Sequence, residues 1–107
     1  KFDEAVAKYA ADLDEMGGYD AELLTKVTKG CGPVIYNADA QLVAFSDKEE
    51  LARVKANFLI KKLGLKDSPK LDEAIAEVGK EYNKRRKHRA VVYYKLVKAL
   101  GQEKHYD

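Results

Sequence analysis

Lys84-Arg85-Arg86-Lys87-His88-Arg89 puts five permanent positive charges into six residues, with Lys80 and Tyr82 just ahead of them. Guanidinium and ammonium groups crowded at a helix entrance are suited to neutralising phosphates, and a tyrosine such as Tyr82 offers a ring on which an unpaired base can stack. The simpler alternative is a set of solvated side chains at a helix junction, some paired with Glu77, Glu81 or the acidic first half, each exposed pair contributing about 0 to 1 kcal/mol. A positive cluster at the start of a helix also opposes the helix dipole, although the same free amides and cations together would attract a bound anion.

Cys31 lies between Gly30 and Gly32, ahead of Pro33. If its sulfur points at the amides of the following turn, its pKa is lowered and a reactive thiol results. The simpler reading is a small apolar residue at a tight turn. Gly30-Cys31-Gly32 matches neither G-x-G-x-x-G nor the lysine-bearing phosphate loop, so no cofactor is expected. His88 and His105 are too far apart to form a local metal pair and read as exposed residues. The acidic groups Asp12, Asp14, Glu15 and Asp47, Glu49, Glu50 lack the calcium-loop pattern and read as solvated helix faces and caps. No catalytic constellation and no metal site emerge. Tyr93 and Tyr94 read as core residues with hydroxyls at the rim, the alternative being a ligand pocket.

The elements that must carry these groups are helical. Phe2, Val6, Tyr9, Leu13 and Met16 recur every three or four residues until Gly17-Gly18 interrupts. That spacing is an amphipathic helix burying one stripe. Asp20 is placed to cap a short second helix running to Gly30, and Pro33 to about Leu42 reads as a further short helical segment. Gln41 to Phe45 alternates like a strand, but no second strand candidate exists to pair with it, so helix or turn is expected. Ser46-Asp47-Lys48-Glu49 has the form of a capping box, with Ser46 as cap, opening a helix striped by Leu51, Val54, Phe58, Leu59 and Leu63 and ended by Gly64. Ser68-Pro69 opens another, striped by Leu71, Ile75, Val78 and Tyr82. The last runs from about Arg86 to Leu100, and its apolar residues leave only a narrow strip around Lys95 and Lys98, which makes it the central helix.

The expected fold is therefore all-α: a compact bundle of five or six short helices, without a sheet, in one domain over residues 1–107. The hydrophobic fraction of 46% with 36% charged residues belongs to a folding chain rather than a disordered one. No apolar run reaches the roughly 18 to 20 residues of a membrane span. A single cysteine in so small a chain points to a reducing, cytoplasmic address, and Lys1 in place of an initiator Met points to a processed or trimmed start. Residues 1–50 carry 5 Lys and Arg against 11 Asp and Glu, and residues 51–107 carry 15 against 7. The net charge of +2 thus hides a polarised chain.

The segments Thr28 to Asp39, Ser46 to Leu51, Asn57 to Leu65 and Arg89 to Tyr94 together resemble a family of short bacterial proteins catalogued as domain of unknown function 2853. The resemblance covers nearly the whole chain. It implies a small helical protein without assigned activity, and it transfers no catalytic or binding residue. Three functions remain in view. The first is a non-enzymatic binding or adaptor protein whose basic residues, Lys80, Lys84, Arg85, Arg86, Lys87 and Arg89, with Tyr82, meet nucleic acid or an acidic protein. The second is a self-associating homo-oligomer that pairs acidic and basic halves. The third is a small thiol-dependent enzyme using Cys31.

Overall fold

Turn signals and apolar stripes place five α-helices in the computed structural model, which describes residues 1–107. Helix α1 spans Phe2–Glu15, α2 Ala21–Cys31, α3 Lys48–Arg53, α4 Pro69–Glu81 and α5 Arg89–Ala99, with short 3-10 turns at Gly32–Tyr36 and Glu103–Tyr106. No strand forms. A single antiparallel bridge joins Leu42 to His88, closed by Val43 N–H donating to Lys87 O at 2.9 Å and Arg89 N–H donating to Gln41 O at 2.7 Å. The alternation at residues 41 to 45 therefore finds a partner after all, in the segment just before α5. The helix expected from Pro33 to Leu42 stops at Tyr36, because the Asn37 side chain takes the amides of Asp39 and Ala40 and turns the chain.

Caps largely follow from local chemistry. Asp20 accepts from the amides of Glu22 and Leu23. At the next helix the cap is Asp47, whose carboxylate accepts from Glu49 and Glu50 N–H, and not Ser46. The anionic cap one residue later interacts better with the helix dipole than a hydroxyl does. Ser68 occupies the cap position ahead of Pro69, but its hydroxyl makes no capping bond.

The largest departure from expectation follows α3. From Val54 to Lys62 the chain winds as a π-helix, each N–H reaching five residues back. At its end Leu63 N–H donates to Phe58 O at 3.0 Å and Leu65 N–H to Leu59 O at 3.1 Å, with Gly64 at φ +74 permitting the reversal. The apolar spacing explains the winding. Val54, Phe58 with Leu59, and Leu63 are all buried, although Val54 and Leu63 lie nine residues apart. Nine residues make two and a half turns of an α-helix at 3.6 per turn, which sets the two on opposite faces. The wider helix holds between four and five residues per turn, so the same nine make two turns and one face.

All of these stripes meet in one core of 22 buried hydrophobic residues. As expected, α5 is central: Val91, Val92, Leu96 and Val97 are all fully enclosed, and the helix packs against α1, α2 and α4. The radius of gyration, 12.7 Å, matches the roughly 13 Å expected of a compact chain of this length. No helix is long and apolar enough to cross a membrane.

Candidate functional site

The basic run does not begin α5. It forms the loop between α4 and α5, and α5 starts only at Arg89, so most of the charge stands ahead of the helix rather than in its first turn. Tyr82 anchors the loop from beneath. Its ring is 1% exposed, and its hydroxyl accepts from His88 N–H at 3.2 Å while donating to the Asp12 carboxylate. The expectation that Tyr82 stacks on a base is thereby corrected: with Leu71, Ile75 and Val78 it completes the buried stripe of α4, and no face is free.

Asp12 is likewise no solvated carboxylate. It is 9% exposed and takes the Lys84 ammonium at 3.0 Å, while Lys84 also reaches Glu15 at 2.5 Å. Burial pushes the Asp12 carboxyl up, but the hydrogen bonds from Tyr82 and Lys84 and the positive charge of Lys84 outweigh it and hold the group below the ordinary range. The same burial, reinforced by the Asp12 hydrogen bond, pushes the Tyr82 hydroxyl up, so it stays a donor. His88, expected to be exposed, is 5% exposed with Nδ1 unpartnered, its ring centroid 5.3 Å from that of Tyr9. Desolvation lowers its pKa, helped by Lys8, Arg86 and Lys84 and opposed by Asp12, so the imidazole is neutral at pH 7.

The predicted contact residues thus divide. Arg89 is withdrawn: its guanidinium donates to Ala40 O at 2.7 Å, Leu42 O at 3.2 Å and Tyr93 hydroxyl at 3.1 Å, and pairs with Glu50 at 2.6 Å. Lys84 is committed to α1. Lys87 donates to the Lys84 carbonyl at 2.5 Å and lies 5.9 Å over the Phe45 ring. Lys80 stands exposed, 3.8 Å from Glu77. Arg85 and Arg86 alone are exposed with no ion pair. Arg85 and Lys87 border a depression of 490 Å³ with Phe45 on its wall. Phe45 is held by close packing against Gly79, where a Cβ would come within 2.6 Å of the ring. Phe45 is therefore the aromatic residue beside the cations that the sequence did not single out, its only signal being its place at the end of the apolar segment Leu42 to Phe45.

Cys31 lies at the end of α2, in a cleft shared with Arg89. Burial pushes its thiol up to about 11, against the smaller opposing pull of Lys62 and Arg89. The lowered pKa that an active thiol requires is not present, because desolvation outweighs the attraction of the neighbouring cations for a thiolate. At pH 7.5 alkylation of Cys31 by iodoacetamide is expected to run at least about ten times slower than that of free cysteine, whose pKa is near 8.5. A rate equal to that of free cysteine would contradict the burial. Nor do His, Cys, Asp and Glu converge anywhere into a group able to hold a metal. Tyr94 packs in the core, its hydroxyl accepting from Asp20 N–H at 2.8 Å. Tyr93 stacks on Phe58 with centroids 3.8 Å apart and planes 10° from parallel.

A family model described as protein of unknown function (DUF2853) matches residues 8–104, and the chain belongs to that family. No curated protein matches it.

Proposed function

We propose that this member of the DUF2853 family is a non-enzymatic binding protein whose α4–α5 loop presents Arg85 and Arg86, with Lys87 and Lys80 beside them, to an anionic partner such as nucleic acid. The observation that carries the reading is the division of labour within the loop. Tyr82, Lys84 and His88 are bound inward through Asp12 and Glu15, which fixes both ends of the segment and leaves two guanidiniums at its tip without partners. Side chains already held by a rigid base lose less freedom on binding than a flexible tail would. Guanidinium groups also bind phosphate in a bidentate manner.

The alternative of self-association through opposite charge is less favoured, because part of the opposite charge is already paired between the halves within one molecule. Lys84 pairs with Asp12 and Glu15, and Arg89 with Glu50. The lone thiol is consistent with a cytoplasmic address.

Fluorescence anisotropy with labelled single-stranded and duplex oligonucleotides tests the proposal. Three phosphate contacts, from Arg85, Arg86 and Lys87, predict an affinity loss of about twenty- to forty-fold between 50 and 200 mM salt. The Arg85→Ala/Arg86→Ala variant is expected to bind more weakly, with a salt slope shallower by about 1.4 to 1.8. Unchanged binding by that variant, or none by the wild type at low salt, overturns the assignment.

A further inference from the structure

A cleft of 330 Å³ opens between α2, the π-helix and the start of α5, with Cys31 in its lining and neither Arg85 nor Arg86. We infer that it is a binding site for a small organic carboxylate with an apolar body, its anionic head between Arg53 and Lys62 and its body against Val34 and the Phe58–Tyr93 pair. The volume lies at the small end of the roughly 300 to 1,000 Å³ typical of ligand cavities.

Three observations support this. First, the cations exceed the anions. Arg53, Lys62 and Arg89 line the cleft with Glu50 as the one carboxylate, and that carboxylate is shared by Arg89 at 2.6 Å and Arg53 at 2.9 Å. Lys62 has only the Gly30 carbonyl, at 2.8 Å. A second carboxylate would meet charge that the protein leaves uncompensated, and the way Glu50 already sits between two guanidiniums shows the chemistry the lining favours. Second, the site exists through the π-helix. Arg53, Asn57 and Lys62 all face the cleft, yet in an α-helix Lys62 would stand on the side opposite Arg53, half a turn out of phase. Two turns of the wider helix bring it back into line. Third, the walls are apolar and stiff. Val34, Ala40 and the edge of Tyr93, whose ring is stacked on the buried Phe58, stand beside the charges, the arrangement of a few placed polar groups on an apolar surface that marks ligand pockets.

Titration of the isotope-labelled protein with benzoate, followed by amide chemical shifts, tests the site, with benzamide and inorganic phosphate as controls. Benzoate is expected to give saturable shifts at residues 30–34, 53–62 and 89–93. Benzamide, lacking charge, and phosphate, lacking an apolar body, should each bind at least ten-fold more weakly. The Arg53→Gln/Lys62→Gln variant changes two exposed side chains and should reduce benzoate affinity at least ten-fold while its remaining spectrum stays native. Arg85→Ala/Arg86→Ala should leave benzoate binding as it is, which separates this site from the basic loop. The inference is overturned by non-saturating shifts, by shifts confined to residues 83–87, by equal binding of benzamide, or by a native-like Gln variant that binds as the wild type does.

Discussion

Glu50→Ala is expected to lower the unfolding free energy by about 3 kcal/mol, within the range for removing one partner of a buried ion pair. Both members of the pair are largely enclosed, with side chains 15% and 13% exposed. The loss would leave the Arg89 guanidinium in its low-dielectric seat with only neutral acceptors. Arg89 also ties elements together: it holds the carbonyls of Ala40 and Leu42, the Tyr93 hydroxyl and the cap end of α3 at once. Arg53→Ala, which removes the outer and more exposed guanidinium, should cost only about 0 to 1 kcal/mol. Replacing both partners, as in Glu50→Leu/Arg89→Met, should cost less than the sum of the single changes, since no uncompensated charge is left behind. Urea denaturation of the wild type, of these variants and of the singles Glu50→Leu and Arg89→Met measures this. A loss below about 1 kcal/mol for Glu50→Ala would mean that the three neutral acceptors satisfy Arg89 unaided.

The second large effect lies beneath the basic loop. Asp12→Ala removes the acceptor of a buried tyrosine hydroxyl and the inner partner of Lys84, and should cost about 2 to 4 kcal/mol, counting one hydrogen bond to a charged group and one stranded donor. Asp12→Asn keeps the shape and one acceptor, and should cost less at pH 7. The two proteins then separate by pH. The Asp12 carboxyl is held below its ordinary value in the folded chain, so the unfolded state takes up its proton first as pH falls. Its contribution is complete above the unfolded value of about 3.9 and is lost on acidification toward the folded one. The stability gap between wild type and Asp12→Asn should therefore be open at pH 7 and close progressively below about pH 4. Urea midpoints across that range read it directly, and a gap that does not narrow would place the effect in packing rather than in the charge.

Much of the fold was legible in residue order. The stripes of α1, α2 and α4, the cap at Asp20, Pro69 at its helix start and the enclosed apolar surface of α5 all appear in the structure where periodicity put them. These features depend on neighbours within a few residues, and there the chain's own chemistry decides. The π-helix was not anticipated: Val54, Phe58 with Leu59, and Leu63 repeat at about four and a half residues, which reads as an ordinary stripe when only three- and four-residue spacings are sought.

The candidate sites were another matter. Sequence alone established that the chain is helical, charge-polarised and equipped with one dense basic segment. Only the tertiary structure decided which of those cations are available, because each is paired or freed by a residue far away in the chain. Asp12 claims Lys84 across 72 positions and Glu50 claims Arg89 across 39, while Arg85 and Arg86 find nothing opposite them. The same holds for His88, which looks like a surface residue in a polar run and is buried against Tyr9 of α1, and for the hydroxyl of Tyr82, which the stripe places inside but only Asp12 of α1 satisfies. Local spacing sets which face of a helix is apolar, but the burial and charge of a given side chain depend on what the fold brings against that face.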